Sequence, residues 1–202
     1  MTMWVKICGL TTPDAVAAAL DAGADAIGFV FAKSVRQVSP DVALRLAAPA
    51  RGRARCVAVT RHPTQQDIDD IVSIFKPDVL QTDSADFPNL RLPAQLDLLP
   101  VFRGVDNESN TLPARLLFEG LTSGAGVPCD WSAAHRVARR TELVLAGGLN
   151  PANVAAAIAA VQPFGVDVST GVEVRPGVKS PVEIANFVRA ARETGVVYED
   201  PV

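Results

Sequence analysis

The sequence predicts an α/β protein built as one (βα)8 barrel. Three observations lead there. Short apolar runs of strand character alternate with helical segments along the whole chain. Eight such runs occur, centred on Lys6, Gly28, Ala58, Leu80, Phe102, Leu117, Leu145 and Asp167. Four of the intervening helices open on the same kind of start signal: Thr-Pro, Ser-Pro, Asn-Pro and Ser-Pro. Alternating strands and helices build a parallel sheet, and eight units without a long excursion favour closing it over leaving it open as a doubly wound sheet. The 202 residues suffice for one core at the lower end of barrel size, so residues 1–202 are read as a single domain with 195–202 as a short tail.

The first unit is the clearest. Trp4 to Ile7 alternate as a half-buried strand does, which puts Lys6 and Cys8 on one face and Val5 and Ile7 on the other. Gly9 breaks the strand, Thr12 is a good N-cap, Pro13 fits the first helical turn and Asp14 suits the positive end of the helix dipole. The helix runs over 13–22 and stops at Gly23, and 24–31 (ADAIGFVF) reads as a strand buried on both faces. Ser39, Pro40 and Asp41 open the second helix, and 55–60 form the third strand. Thr64 caps a helix reaching to about Phe75, and 77–82 form the fourth strand. Pro88, Asn89 and Pro93 leave room only for a short helix before the fifth strand at 98–103, despite Pro100. The sixth strand covers 114–119 and is followed by a glycine-containing loop, SGAG at 123–126. A helix then starts near Ser132, with Asp130 as its cap. The seventh strand is 142–148, a helix starts at Asn150 and Pro151, and the eighth strand is 164–171. Ser180, Pro181 and Glu183 spell a capping box for the last helix.

Composition removes several function classes. With 19 basic and 22 acidic residues and no basic run longer than the Arg139 and Arg140 pair, nucleic acid is not an expected partner. No apolar run approaches the ~20 residues of a membrane span and the N-terminus lacks a signal-peptide core, so no membrane association is expected and the compartment is read as cytoplasmic. The cysteines at 8, 56 and 129 are odd in number with no CxxC spacing, and neither of the two histidines, His62 and His135, is near a second His or Cys. No metal and no cofactor is therefore expected, and catalysis falls to carboxylates, thiols, lysines and backbone groups. One chain is expected to act as a monomer.

Two places carry chemistry. Cys8 ends the first strand beside a glycine loop, where α/β folds put their active groups, and Lys6 lies two residues back on the same face, about 6.6 Å away at the usual strand rise. A nearby ammonium stabilises a thiolate. The second place is the pair of loops after the last two strands, with Gly147 and Gly148 in one and Ser169, Thr170 and Gly171 in the other. Loops after strands seven and eight frequently hold phosphate in such barrels, because glycines let backbone N–H groups approach an anion and hydroxyls add donors. A small phosphorylated ligand is the expected partner.

Five segments together, KICGLT at 6–11, FVFAKSVRQVS at 29–39, SGAG followed by Asp130 and Trp131, LAGGLNPANV at 145–154 and DVSTGVEVRPGVK at 167–179, resemble the phosphoribosylanthranilate isomerases of tryptophan biosynthesis. The resemblance implies a (βα)8 barrel that carries out an Amadori rearrangement without metal or coenzyme, turning an N-phosphoribosyl aminoaldose into an aminoketose. An acid protonates the ribose ring oxygen so that the ring opens to a Schiff base, and a base takes the C2' proton. The resemblance gives the base as Cys8. It gives the acid as the carboxylate ending the sixth strand, where the family has aspartate and this chain has Glu119, one methylene longer. Arg36 matches the family's arginine after strand two and is expected to hold the anthranilate carboxylate by a two-point contact.

Strand parity turns Asp167 to the barrel interior with Gly165 and Ser169, where a carboxylate must be paired or hydrogen-bonded. It is read as a group that steadies the phosphate loop or pairs with Lys6, with direct acid catalysis as the alternative. Two further departures from the family pattern are Gln81-Thr82-Asp83-Ser84 in place of glutamine-leucine-histidine-glycine after strand four, and the shortened SGAG loop. The rival functions are another phosphosugar isomerase or epimerase on the same barrel, and a phospholigand-binding protein without catalysis.

Overall fold

The computed structural model describes residues 2–103, 111–120 and 130–194. Eight strands close into a parallel barrel: β1 (Trp4–Cys8), β2 (Ala26–Val30), β3 (Arg55–Val59), β4 (Val79–Asp83), β5 (Asp97–Arg103), β6 (Arg115–Glu119), β7 (Glu142–Leu145) and β8 (Gly165–Val168), in sequence order around the ring. The closing ladder pairs β1 with β8 and sets Lys6 opposite Asp167. The expected barrel is therefore present, with β2, β7 and β8 shorter at their ends than their apolar runs suggested. The glycine pairs and the hydroxyls after β7 and β8 form loops instead, which is the arrangement an anion site needs.

Six α-helices lie among the described residues: α1 (Pro13–Asp21), α2 (Pro40–Ala47), α3 (Gln65–Asp70), α4 (Trp131–Ala138), α5 (Val154–Val161) and α6 (Pro181–Glu193). Thr12, Ser39, Thr64, Asp130 and Ser180 cap five of them, each accepting backbone N–H bonds through its side chain. α3 runs on into a π-helical turn, Ile71–Phe75, so the helical stretch does reach Phe75. Between β4 and β5 there is only a 3₁₀ turn, Phe87–Asn89, as the prolines required.

Three local expectations change. α5 begins at Val154, because Asn150 and Pro151 form a preliminary turn. In that turn the Asn150 side chain accepts from the N–H of Ala152 and Asn153, and Asn153 accepts from the N–H of Asn150. At Ser180 the side chain does cap Glu183 N–H, but the Ser180 N–H donates to the Val172 carbonyl, so the reciprocal half of the box is not made there. The complete box forms at Thr64 and Asp67. Finally, the loop after β8 carries a 3₁₀ turn, Thr170–Val172, and a small antiparallel ribbon of β9 (Glu173–Arg175) and β10 (Val178–Lys179). The SGAG loop, Cys129 and the tail 195–202 lie outside the described residues.

The core has two layers. Outward residues of the strands, among them Val5, Ile7, Ile27, Phe29, Leu116, Phe118 and Val166, pack against the helices. α6 shows the logic: Ile184, Phe187, Val188 and Ala191 repeat at helical spacing and are the residues it buries. The inward layer is smaller: Leu99, Val101, Leu117, Val144 and Ala146, with Trp4, Val79 and Phe164 against them. Lys6 and Asp167 occupy inward positions next to one another, so one side of the barrel lumen is polar. Pro100 is accommodated in β5 because the ladder to β6 begins only one residue later, at Val101.

Candidate active site

Cys8, Asp83, Arg103 and Glu119 are the last residues of β1, β4, β5 and β6, and Ser169 directly follows β8. Parallel strands in a barrel end on one rim, so these side chains and the βα loops share the C-terminal mouth. The rim thus brings together Cys8, Arg36, Glu119, Asp167 and the loops of Gly147–Gly148 and Ser169–Gly171, which is every site residue the sequence singled out.

Lys6 is fully buried and donates to Asp167 at 2.8 Å, which realises the pairing reading of Asp167. Burial opposes the charge on Lys6, yet Asp167 and then Cys8 outweigh it and raise its pKa, so this lysine is an ammonium. Burial pushes the Cys8 thiol up; Lys6 pulls it down, Asp167 adds to the rise and Lys179 opposes it. Room for this pair comes from Gly28: a Cβ there would stand 3.0 Å from Cys8 Sγ and 3.2 Å from Lys6 Cε. A glycine inside an otherwise apolar strand was the available signal for that close approach.

Glu119 is bound by Arg103, whose Nη2 lies 2.8 Å from the carboxylate, and Arg103 Nη1 also binds Asp83. Glu119 lines a small cavity of about 50 Å³ together with Gly147, Gly148, Asp167, Ser169 and Thr170. Gly147 and Gly148 have φ of 90° and 67°, conformations that a side chain resists. At Gly171 an added Cβ would lie 1.9 Å from the Leu149 carbonyl oxygen, so the loops after β7 and β8 touch backbone to backbone. Asn153 Nδ2 holds the first loop through the Gly148 carbonyl, and Lys179 Nζ holds the second through the Ser169 carbonyl and hydroxyl.

Sequence reasoning missed Glu173 and Lys179 as site groups. Glu173 takes both Nε and Nη2 of Arg36, at 2.7 and 2.8 Å, and Lys179 at 2.7 Å. Burial works against the Glu173 charge, but Arg36 and Lys179 bring its pKa down to about 2. Burial lowers the Lys179 pKa against the pull of Glu173, and the Glu173 contact raises that of Arg36. Both residues sit in the DVSTGVEVRPGVK segment, and the β9–β10 ribbon carries them.

Two other features are structural. A cavity of about 840 Å³ is lined by Trp4, Arg55, Asp97, Arg115 and Glu142, which begin their strands, by Pro100 and Phe102 of β5, and by Phe87 and Pro88 between β4 and β5. The strand-starting residues of its lining lie at the end of the barrel opposite to Cys8 and Glu119, whereas barrel active sites sit at the C-terminal mouth. His62, Asp83 and Asp86 draw their ligand-type atoms within 4.8 Å of one another, a convergence their sequence spacing did not suggest. Each already has protein partners: Asp83 binds Arg103, and Asp86 accepts from Thr82 and pairs with His62.

A family model for N-(5'-phosphoribosyl)anthranilate (PRA) isomerase matches residues 5–190. The chain belongs to this family. An N-(5'-phosphoribosyl)anthranilate isomerase from Rhizobium johnstonii is 40% identical over 208 residues, covering 94% of each chain. The crystal structure of phosphoribosyl anthranilate isomerase from Thermotoga maritima superposes with a TM-score of 0.81 at 30% identity, covering 95% of this chain and 99% of that one. A phosphoribosyl anthranilate isomerase in complex with reduced 1-(o-carboxyphenylamino)-1-deoxyribulose 5-phosphate gives a TM-score of 0.76 at 28% identity, covering 95% and 99%. The barrel of this PRA isomerase family member is thus the family's own, and none of its described helices is long and apolar enough to cross a membrane.

Proposed function

We propose that Cys8 and Glu119 carry the two proton transfers of this chain's reaction. That reaction is the isomerisation of N-(5'-phosphoribosyl)anthranilate to 1-(2-carboxyphenylamino)-1-deoxyribulose 5-phosphate, a step of tryptophan biosynthesis. The observation that carries the assignment is that both residues end their strands on one rim, with Glu119 on the wall of the cavity formed by the two anion loops.

The 5' phosphate sits against the backbone N–H groups and hydroxyls of the loops after β7 and β8. Glu119 gives its proton to the ribose ring oxygen; the C1'–oxygen bond breaks and the anilino nitrogen lone pair forms the Schiff base. Arg103, at 2.8 Å, takes up the charge left on Glu119. The Cys8 thiolate removes the proton on C2', giving the enolamine, which becomes the aminoketose as C1' gains a proton and the C2' hydroxyl becomes a carbonyl. Lys6 and Lys179 both oppose the burial cost of the Cys8 thiolate. Both carboxylates have a cation at 2.8 Å, but Asp167 is the partner of a fully buried ammonium, whereas Arg103 divides its charge between Glu119 and Asp83, and this supports Glu119 over Asp167 as the acid. Arg36 faces the anthranilate carboxylate. All these groups come from one chain, which supports a working monomer, and a phosphorylated sugar that cannot cross a membrane unaided supports a cytoplasmic site of action. Sedimentation at micromolar concentration checks the first.

The test is the loss of anthranilate fluorescence as substrate is consumed. Cys8→Ala and Glu119→Gln are each expected to reduce turnover by roughly 100-fold or more, with circular dichroism unchanged. Full turnover in either variant removes that residue from the mechanism.

A further inference from the structure

Arg36 is held on two sides before any substrate arrives. Its stem crosses the backbone at Gly9, where a Cβ would stand 2.7 Å from Arg36 Cδ. Its Nε edge is taken by Glu173 in a two-point contact, Nε to Oε1 at 2.7 Å and Nη2 to Oε2 at 2.8 Å. The Glu173 side chain is only 4% exposed and accepts four donors, the other two being Lys179 Nζ at 2.7 Å and Gly177 N–H at 3.2 Å. Lys179 in turn reaches the Ser169 carbonyl at 2.9 Å and hydroxyl at 3.2 Å. One buried carboxylate therefore joins the loop after β2 to the anion loop after β8.

A guanidinium has a second two-donor edge, formed by Nη1 and the remaining N–H of Nη2. No described hydrogen bond uses Nη1, and the side chain is close enough to Cys8 for the thiolate charge to act on it. We propose that Glu173 is a positioning residue that occupies one edge of Arg36 so that the other edge is presented, already ordered, to the carboxylate of the substrate's aromatic ring. The inference rests on the reading of Arg36 as the anthranilate carboxylate's partner. Without Glu173, Arg36 would repel Lys179 beside it and lose the contact that fixes its long side chain, and ordering it would then be charged against binding.

Two reduced product analogues separate this from a scaffold role: the reduced o-carboxyphenylamino deoxyribulose phosphate, and its phenylamino counterpart without the carboxylate. Dissociation constants are measured by calorimetry on the wild-type chain, on Glu173→Gln and on Arg36→Met. Glu173→Gln is expected to weaken the carboxylate-bearing analogue by about five- to tenfold while changing the other by less than about twofold. Equal losses for both analogues, or no loss for either, overturn the proposal, because a residue that only braces the anion loop cannot sense the carboxylate. If Arg36→Met leaves the preference for the carboxylate intact, the reading of Arg36 fails and takes the proposal with it. If Arg36→Met abolishes the preference and Glu173→Gln does not alter it, the role of Glu173 alone fails. Should Glu173→Gln not fold because Lys179 is left buried without a counter-charge, Glu173→Asp keeps the charge while drawing the carboxylate back from Arg36 by one methylene, and must show the same carboxylate-selective loss.

Discussion

Replacing Asp167 by Asn tests the electrostatics of the barrel interior most directly. The change keeps the shape and one acceptor but leaves the Lys6 ammonium, 0% exposed and now 2.8 Å from a neutral oxygen, without a counter-charge. Removing one member of a buried pair costs about 3–5 kcal/mol, and the retained acceptor puts this variant near 3 kcal/mol. For a chain of 202 residues that is a fall in Tm of roughly 10 °C by calorimetry. The same substitution acts on Cys8 in the opposite sense. Asp167 is one of the groups holding the thiol up, and Lys6 one of those pulling it down, so Asp167→Asn lets the thiolate form at lower pH. Alkylation of Cys8 by iodoacetamide, followed on its own peptide by mass spectrometry, is then faster near neutrality. The double variant Lys6→Met/Asp167→Leu removes both charges; it is expected to recover most of the lost stability while Cys8 reacts more slowly than in the wild type. A single variant that loses less than about 2 °C, with the alkylation profile unmoved, would refute the idea that this pair sets the state of the thiol.

Two further outcomes are expected. Gly171→Ala places a Cβ 1.9 Å from the Leu149 carbonyl oxygen, so the anion loops must part; KM for the phosphorylated substrate is expected to rise tenfold or more with a smaller effect on kcat, and an unchanged KM would show that the loops do not grip the phosphate. Glu173 titrates near 2 in the folded chain against an ordinary 4.5, a depressed folded value, so its contribution is complete above about pH 4.5 and is lost as pH falls toward 2. The shift corresponds to at most about 3 kcal/mol, shared with Arg36 and Lys179, and a stability curve for Glu173→Gln that is as steep as the wild type over this range would remove the residue from that account.

How far the sequence could be read depended on whether a signal was local. The strands, the caps at Thr12, Ser39 and Asp130, and the inward facing of Lys6, Cys8 and Asp167 follow from short-range pattern alone and all appear. The start of α5 was misplaced because two asparagines offer rival caps three residues apart, and only the fold chooses between them. Strand ends at β7 and β8 were overrun because glycines and small polar residues after an apolar run carry no period. Glu173 was not seen as a site group because its pairing with Arg36 spans 137 residues of sequence, and Lys179 because it reaches Glu173 only through the turn at Gly177, whose φ is 82°. No period or cap signal reports a contact of that range.

Two of the three departures from the pattern that the resemblance implies meet in space. Asp83 stands where the resemblance implies histidine and Glu119 where it implies aspartate, and both bind the same guanidinium, that of Arg103. A carboxylate one methylene longer has more rotamer freedom and more reach, so it needs an added restraint to bring its oxygen to the place a shorter one would occupy. Arg103 supplies that restraint, and Asp83 balances the charge Arg103 brings into a half-buried setting, where side-chain exposures are only 20% for Arg103, 12% for Asp83 and 14% for Glu119. The two positions are therefore coupled: Glu119→Asp alone would withdraw the proposed acid from Arg103 while leaving Asp83 in place. Its turnover is expected to fall below that of the wild-type chain even though the family's own residue has been put back, and a gain in turnover would break the coupling argument.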